Sequence, residues 1–467
     1  MAERPTDTLA ITLGAFAAGY PAADLPALAL ERAQMSLAST LASASMGVDI
    51  DSTAALRRME RALAGRSDTG SALWFARGRL PPDRAARVNA VASDAAASDD
   101  SDLRSIAHIG TIVSAAGLAM AEARGSSGRD LLAAMVLGYE IAGRIDESLT
   151  PGRMQRGFHG SVSTIFSAAT VAGRLAGLDA ARMAQAYALA ASSACGMAIA
   201  ADTSCAREYH AGLAAMLGVQ AALAAEAGFE GELAVLESPR GFFAAMNGQA
   251  VEEVSRDLGA SWDIVTDMAL KLMPGAHPFH AIAEAAATAA IENNLDPARV
   301  SAVLIRAPQL EVWRKQAVQP HDLVSAAHSV AYVVAAAIVD REFGWDHFTE
   351  AKMRDARIAD LTLRVSLERD SPPHPDRFPH RHGGTVIITL DDGRTITHTC
   401  KAPRGSGPRG IEWADVDFKY RRLAPAAGWS GEQVEQSLAL VKALEGAQSV
   451  APLIALLQAG RLAERTA

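Results

Sequence analysis

From Leu9 to about Arg66 apolar residues recur every three or four positions in Ala/Leu-rich text, which predicts two or three packed helices. Leu80-Pro81-Pro82-Asp83 sets proline in a first turn and opens another helix through Ala85–Ala90. That helix dissolves into Ala97-Ser98-Asp99-Asp100-Ser101-Asp102, which by composition is a solvated loop whose carboxylates mostly cap helices. The helical pattern resumes from Ile109 to about Arg124, then from Asp130, as cap, to Leu149, and from Ser161 to Ala176. It continues from an Asp179 cap to near Ala200, and from Arg207 to about Gly228. Glu140 and Arg144 stand one turn apart and predict an ion pair.

After residue 268 the pattern changes. Val300–Arg306 reads as a strand, Val324–Asp340 as a helix carrying Tyr332, and Leu361–Leu367 as a strand. Thr385–Leu390 and Thr395–Cys400 flank Asp391-Asp392-Gly393-Arg394, the signature of a hairpin with an Asp-Gly turn. From Ala414 helices return, over Ser430–Gly446 and Val450–Leu457. The expected fold is mainly α: a discontinuous all-helical large domain, residues 1–268 and 409–467, with an inserted, smaller, lid-like α+β domain at 269–408.

Composition sharpens this picture. The 467 residues have room for two or three domains, and 49% hydrophobic with 5% aromatic content implies a core of Ala, Leu, Val and Ile. A formal charge of −9 with no basic face argues against nucleic acid as a partner. The N-terminus lacks the basic-then-apolar order of a signal peptide. The longest apolar run, Leu323–Val339, is broken by Ser325, His328 and Ser329, so it predicts a core helix and no membrane partner. Cys195, Cys205 and Cys400 show no metal-type spacing, and are read as reduced and buried in a cytoplasmic protein.

The candidate chemistry gathers at helix heads. Lys271-Leu272-Met273-Pro274-Gly275-Ala276-His277-Pro278-Phe279-His280 sets a lysine, two histidines and a Pro-Gly turn before an Ala-rich helix, where free N–H groups favour a carboxylate. This stretch is expected to be the hinge between the domains, and clefts between domains commonly hold small-molecule sites. His108, His159 and His210 each stand at the head of an Ala-rich helix with glycine one or two residues on, room for a ligand to approach closely. Imidazoles beside carboxylates suit proton transfer at neutral pH. The loop Ser371–Gly384 holds His374, His380 and His382, but one His-x-His with no second cluster reads as a solvated loop, and no metal site is expected.

These segments together resemble the MmgE/PrpD family, whose members include 2-methylcitrate dehydratase, cis-aconitate decarboxylase and iminodisuccinate epimerase. The likeness runs through Leu80–Asp100, His108–Glu122, Gly138-Tyr139-Glu140, Gly157–Asp179, Arg207–Gly218, Leu236–Phe243, Lys271–Ala285, Ser329–Ala335 and Gly393–Gly407, in order along nearly the whole chain. It implies a homodimer with a site free of organic cofactors and a small carboxylate substrate. Carried over, it makes His108, His159, Lys271 and Tyr332 catalytic candidates. Arg207, His210, His280 and Asp100 become substrate-binding candidates.

The departures carry information too. Members that dehydrate or decarboxylate usually have Asp-x-Asp-Asp-Thr after a histidine. Here the text is Asp94-Ala95-Ala96-Ala97-Ser98-Asp99-Asp100-Ser101, with Asp94 in the histidine's place and Ala97 in that of the first aspartate. Arg207 stands where a lysine is usual, and Met273 where the hinge proline follows tyrosine or phenylalanine. The expected function is proton movement on carbon next to a carboxylate of a di- or tricarboxylic acid, by a hydro-lyase of 2-methylcitrate dehydratase type. The alternatives are a two-base epimerase or racemase, which the loss of an acid at Ala97 suits, and a cis-aconitate-type decarboxylase.

Overall fold

The Ala-rich periodic segments form long helices whose small side chains let backbones approach closely. A computed structural model describes residues 8–64, 69–104, 106–248, 251–313, 318–374 and 382–459. The chain divides into two compact units, Met1–Met268 with Trp413–Ala467, and Ala269–Glu412.

In the first unit the helices that bear on the site are α1 (Ala27–Gly47), α2 (Pro82–Ala95), α3 (Ile109–Arg124), α4 (Gly128–Leu149), α5 (Ser161–Leu175), α6 (Ala180–Ser193) and α7 (Ala206–Glu226). Helix α5 is the hub, packed on α3, α4, α6 and α7, while α2 packs on α1, α3 and α7. The close approach has a visible cause at Gly218, where any Cβ would run into the Ile165 carbonyl and Ala168 of α5.

The second unit carries a four-stranded sheet of order β2-β1-β3-β4, with β1 Val300–Arg306, β2 Val365–Leu367, β3 Gly384–Leu390 and β4 Thr395–Cys400. The β1/β2 pair is parallel and the other two are antiparallel, Leu304 facing Ile387 and Ile387 facing Thr397. Gly384, Val386, Ile388 and Leu390 of β3 are buried in alternation, the period of a one-faced strand. Helices α8 (His280–Glu292) and α9 (Val330–Asp340) pack on each other, and α8 covers β3 and β4. The Asp391–Gly393 turn closes the β3–β4 hairpin, with Gly393 at φ +82°.

Several expectations are corrected. Ser127, not Asp130, caps α4; Asp130 is the third residue of the capping box. The helix expected over Val324–Asp340 breaks at His328-Ser329, because the Ser329 hydroxyl accepts from the Tyr332 N–H and starts α9 afresh. Leu361 and Thr362 end a helix begun at Ala356, and only Val365–Leu367 is strand. The helix capped by Asp179 stops at Ser193 rather than Ala200, which leaves Cys195 and Cys205 outside helical interiors and exposed; only Cys400 is buried. His374 Nε2 lies 2.9 Å from Gln309 Oε1 and His382 is buried, while His380 lies outside the described residues. Glu140 and Arg144 pair at 2.5 Å as expected.

Candidate active site

The acidic loop between α2 and α3 is not solvated. Ser98, Asp99, Asp100, Ser101 and Asp102 are all fully buried, and each carboxylate has at least one polar partner. Asp100 Oδ2 accepts from Ser36 Oγ at 2.6 Å, and Arg104 donates to both carboxylate oxygens of Asp102. Lys419, on the returning helix α10 (Trp413–Leu423), is wholly buried and donates to Ser39 Oγ and the Ser98 carbonyl. The last stretch of chain therefore reaches back to hold this loop.

Its position brings Asp99 to His108, the residue that caps α3. Asp99 Oδ2 lies 2.5 Å from His108 Nδ1 and also accepts from Thr111 Oγ1 at 3.1 Å. A carboxylate on Nδ1 fixes that nitrogen as N–H and leaves Nε2 to exchange a proton. Ala107 backs onto Gly160, so the turn bearing His159 runs past the one bearing His108. Arg153 holds that turn, gripping Asp146 with two nitrogens at 2.9 and 3.0 Å and donating to the Phe158 carbonyl.

His159 Nδ1 accepts from the Ser161 N–H at 3.3 Å, so its proton sits on Nε2. Burial, helped by the cations of His108 and Arg153, holds its pKa well below the ordinary histidine value. His159 is a neutral imidazole with an N–H to offer. Its ring centre lies 5.7 Å from that of His210, on the first turns of α7, whose pKa burial also lowers. Arg207, on the same helix, donates from Nε to Asp94 Oδ1 at 2.8 Å and from Nη2 to the Asp94 carbonyl at 2.7 Å. Two departures from the family pattern noted in the sequence thus touch each other. Asp94, Asp99 and His108 offer ligand atoms within 4.8 Å of one another, spacing that could hold a metal ion, yet Arg207 and the Asp99–His108 bond already account for them.

The sequence profile of the MmgE/PrpD N-terminal domain matches residues 12–254, and that of the MmgE/PrpD C-terminal domain matches residues 273–445. The chain belongs to the MmgE/PrpD family. Curated relatives are cis-aconitate decarboxylases: from Homo sapiens, 26% identical over 81% of this chain and 80% of that protein, and from Mus musculus, 28% identical over 84% and 82%. The enzyme of that name from Aspergillus terreus (strain NIH 2624 / FGSC A1156) is 26% identical over 93% of this chain and 92% of its own. Among the described residues no helix is long and apolar enough to cross a membrane.

The MmgE/PrpD candidates are divided between the two units. His108, His159, Arg207 and His210 come together in the first unit, joined by Asp94 and Asp99, which sequence reasoning treated as a departure and as a solvated loop residue. Asp100, expected to bind substrate, is fully buried against Gly110 and Ser36, and burial pushes its carboxyl up to about 6. In the second unit, Lys271, His277 and His280 are buried on a segment pinned by the Leu270 N–H to the Gly405 carbonyl and the Ala276 N–H to the Ala327 carbonyl. The His277 and His280 rings lie 4.4 Å apart, at the head of α8. Tyr332, expected to be catalytic, is a core residue of that unit. Its hydroxyl donates to the His347 carbonyl at 2.6 Å, and burial raises its pKa. To protonate a leaving group this phenol would first have to give up its bond to the His347 carbonyl.

Proposed function

We propose that this chain is a lyase needing no organic cofactor, which moves a proton on carbon next to a carboxylate of a di- or tricarboxylic acid and releases carbon dioxide. The observation that carries the proton chemistry is the Asp99–His108 pair set beside the neutral His159. The names of the relatives favour decarboxylation over the dehydration expected from sequence.

In this reading the C–C bond to the departing carboxylate breaks, and its electron pair enters the carbon skeleton as an enolate of the neighbouring carboxylate. His159 Nε2–H donates to the developing oxyanion, and the protonated His108 passes its Nε2 proton to carbon. Solvent then restores that proton. Lys271 and His280 are proposed as contacts to substrate carboxylates, on the family likeness. A two-base epimerase is the second reading, and alanine at position 97 favours it because no leaving group then needs an acid.

The test is mass spectrometry in deuterated water with cis-aconitate, citraconate, citrate, 2-methylcitrate and iminodisuccinate. Loss of carbon dioxide with one deuterium gained at carbon is expected. Loss of water, or deuterium gained without change of connectivity, would replace this reading with dehydration or epimerisation.

A further inference from the structure

We infer that Asp146 and Arg153 are positioning residues for the proposed reaction, a buried ion pair that fixes the His159 ring against His108. This rests on the proton-transfer reading above and adds the parts that hold its geometry. Asp146 lies in the last turn of α4 and is wholly buried; Arg153, on the one-turn helix Gly152–Gln155, is 3% exposed. Taking such a pair out of water costs about what its attraction returns, so the core gains little stability from it. Its bonds run to the turn that carries His159.

The guanidinium grips both Asp146 oxygens and donates to the Phe158 carbonyl, while the Arg153 carbonyl accepts from the Phe158 N–H. Asp146 Oδ1 also meets Ser163 Oγ, which lies 2.7 Å from the Gly160 carbonyl. The residues on both sides of His159 are therefore tied to this one pair. The open face of Gly160 turns to Arg153 Nη2 and to Ala107, the residue before His108, so the guanidinium sits where the two histidine turns pass. From the other side the Gly196 carbonyl accepts from the His159 N–H at 3.1 Å, and the Ala198 N–H donates to the Gly157 carbonyl at 2.9 Å. That outer strap alone would let the turn rock about its two bonds; the ion pair behind it stops the rotation. The same guanidinium also disfavours a charge on His159.

The test reads His159 by NMR on the full chain with isotope-labelled histidine, and turnover separately. The His159 signal is identified by its loss in His159→Gln, and in the wild type it should show one neutral tautomer with the proton on Nε2. Asp146→Asn keeps the shape of the side chain and breaks the double grip. Asp146→Leu combined with Arg153→Met removes both charges together, which buried sites tolerate, and serves if the first variant does not fold. In either variant the His159 signal should move toward a mixture of tautomers. Turnover should fall by about a hundredfold in kcat, with KM within about threefold of the wild type. An unchanged His159 signal, or kcat within about twofold of the wild type, in a folded variant overturns the positioning role and leaves the pair a structural contact. A wild type that turns over none of the acids named above overturns the proton-transfer reading instead, and the His159 signal still decides what the pair positions.

Discussion

Asp99 and His108 meet at 2.5 Å between Oδ2 and Nδ1, from two sides of a loop with no exposed carboxylate. Asp99 contributes through the imidazole it orients and does not itself reach solvent. Asp99→Asn keeps the size but offers the ring an amide that can equally well turn its N–H toward Nδ1. The wrong tautomer would then place the ring proton on Nε2. Turnover should fall by about a hundredfold or more with little change in KM. Steady-state kinetics checks this alongside circular dichroism; an unchanged kcat would remove Asp99 from the mechanism.

The buried Asp100 predicts an unusual pH dependence of stability. Its folded pKa of about 6 lies above the ordinary aspartate value, so the folded chain keeps a proton that the unfolded chain releases. Stability from this group therefore falls as pH rises from about 4 to 6, and the cost is fully present above that window. Asp100→Asn accepts from Ser36 equally well and carries no charge. It should match the wild type near pH 4 and gain about 1–3 kcal/mol at pH 8. Urea unfolding at the two pH values measures the difference; equal midpoints at both would mean the carboxylate is compensated in the folded chain.

Much of this fold was readable from the chain because period and punctuation agreed. The strand Val300–Arg306, the Asp-Gly hairpin and the Asp179 cap follow from side-chain alternation and local hydrogen bonding. Histidines 108, 159 and 210 could be singled out because each precedes or opens a small-residue helix. The Asp/Ser loop was misread because its composition is that of a solvated turn, whereas its burial depends on Lys419, more than three hundred residues away. The surroundings of Tyr332 were hidden for a similar reason. Whether a phenol is free or committed depends on the His347 carbonyl, which no local pattern reveals.

Lys419 itself is open to test. Lys419→Met keeps the length of the side chain but leaves the Ser98 carbonyl and Ser39 hydroxyl short of a donor in a dry setting. A loss of about 1–3 kcal/mol is expected. Activity should fall further than that loss explains, because the same loop carries Asp99. Chemical denaturation and kinetics under conditions where the variant is fully folded separate the two effects. Full activity in the folded variant would confine Lys419 to stability.

Gly110 sits where the Asp100 carboxylate presses on the first turn of α3, and any Cβ there would overlap both carboxylate oxygens. Gly110→Ala must move either the helix start or the acidic loop, and both carry the His108 pair. Overpacking of this kind costs about 1–3 kcal/mol. Combined with Asp100→Ala, which vacates the space, the alanine should be tolerated far better than alone. A double-mutant cycle with no coupling would show that the loop yields without strain.

Tyr332→Phe separates family likeness from geometry. The hydroxyl donates to the His347 carbonyl inside the second unit's apolar core, and the ring packs edge-on to Phe343 at 6.3 Å. Phenylalanine keeps the ring contacts and removes one buried hydrogen bond, leaving a carbonyl unpaired. The variant should lose about 1 kcal/mol of stability and keep kcat within about twofold. A catalytic acid would behave otherwise: kcat would collapse while the melting temperature barely moved, and the basic limb of the pH–rate profile would vanish. Measuring kcat and thermal unfolding on the same preparation decides between the two. The first pattern confirms a core tyrosine; the second would require Tyr332 to exchange the His347 carbonyl for substrate during turnover.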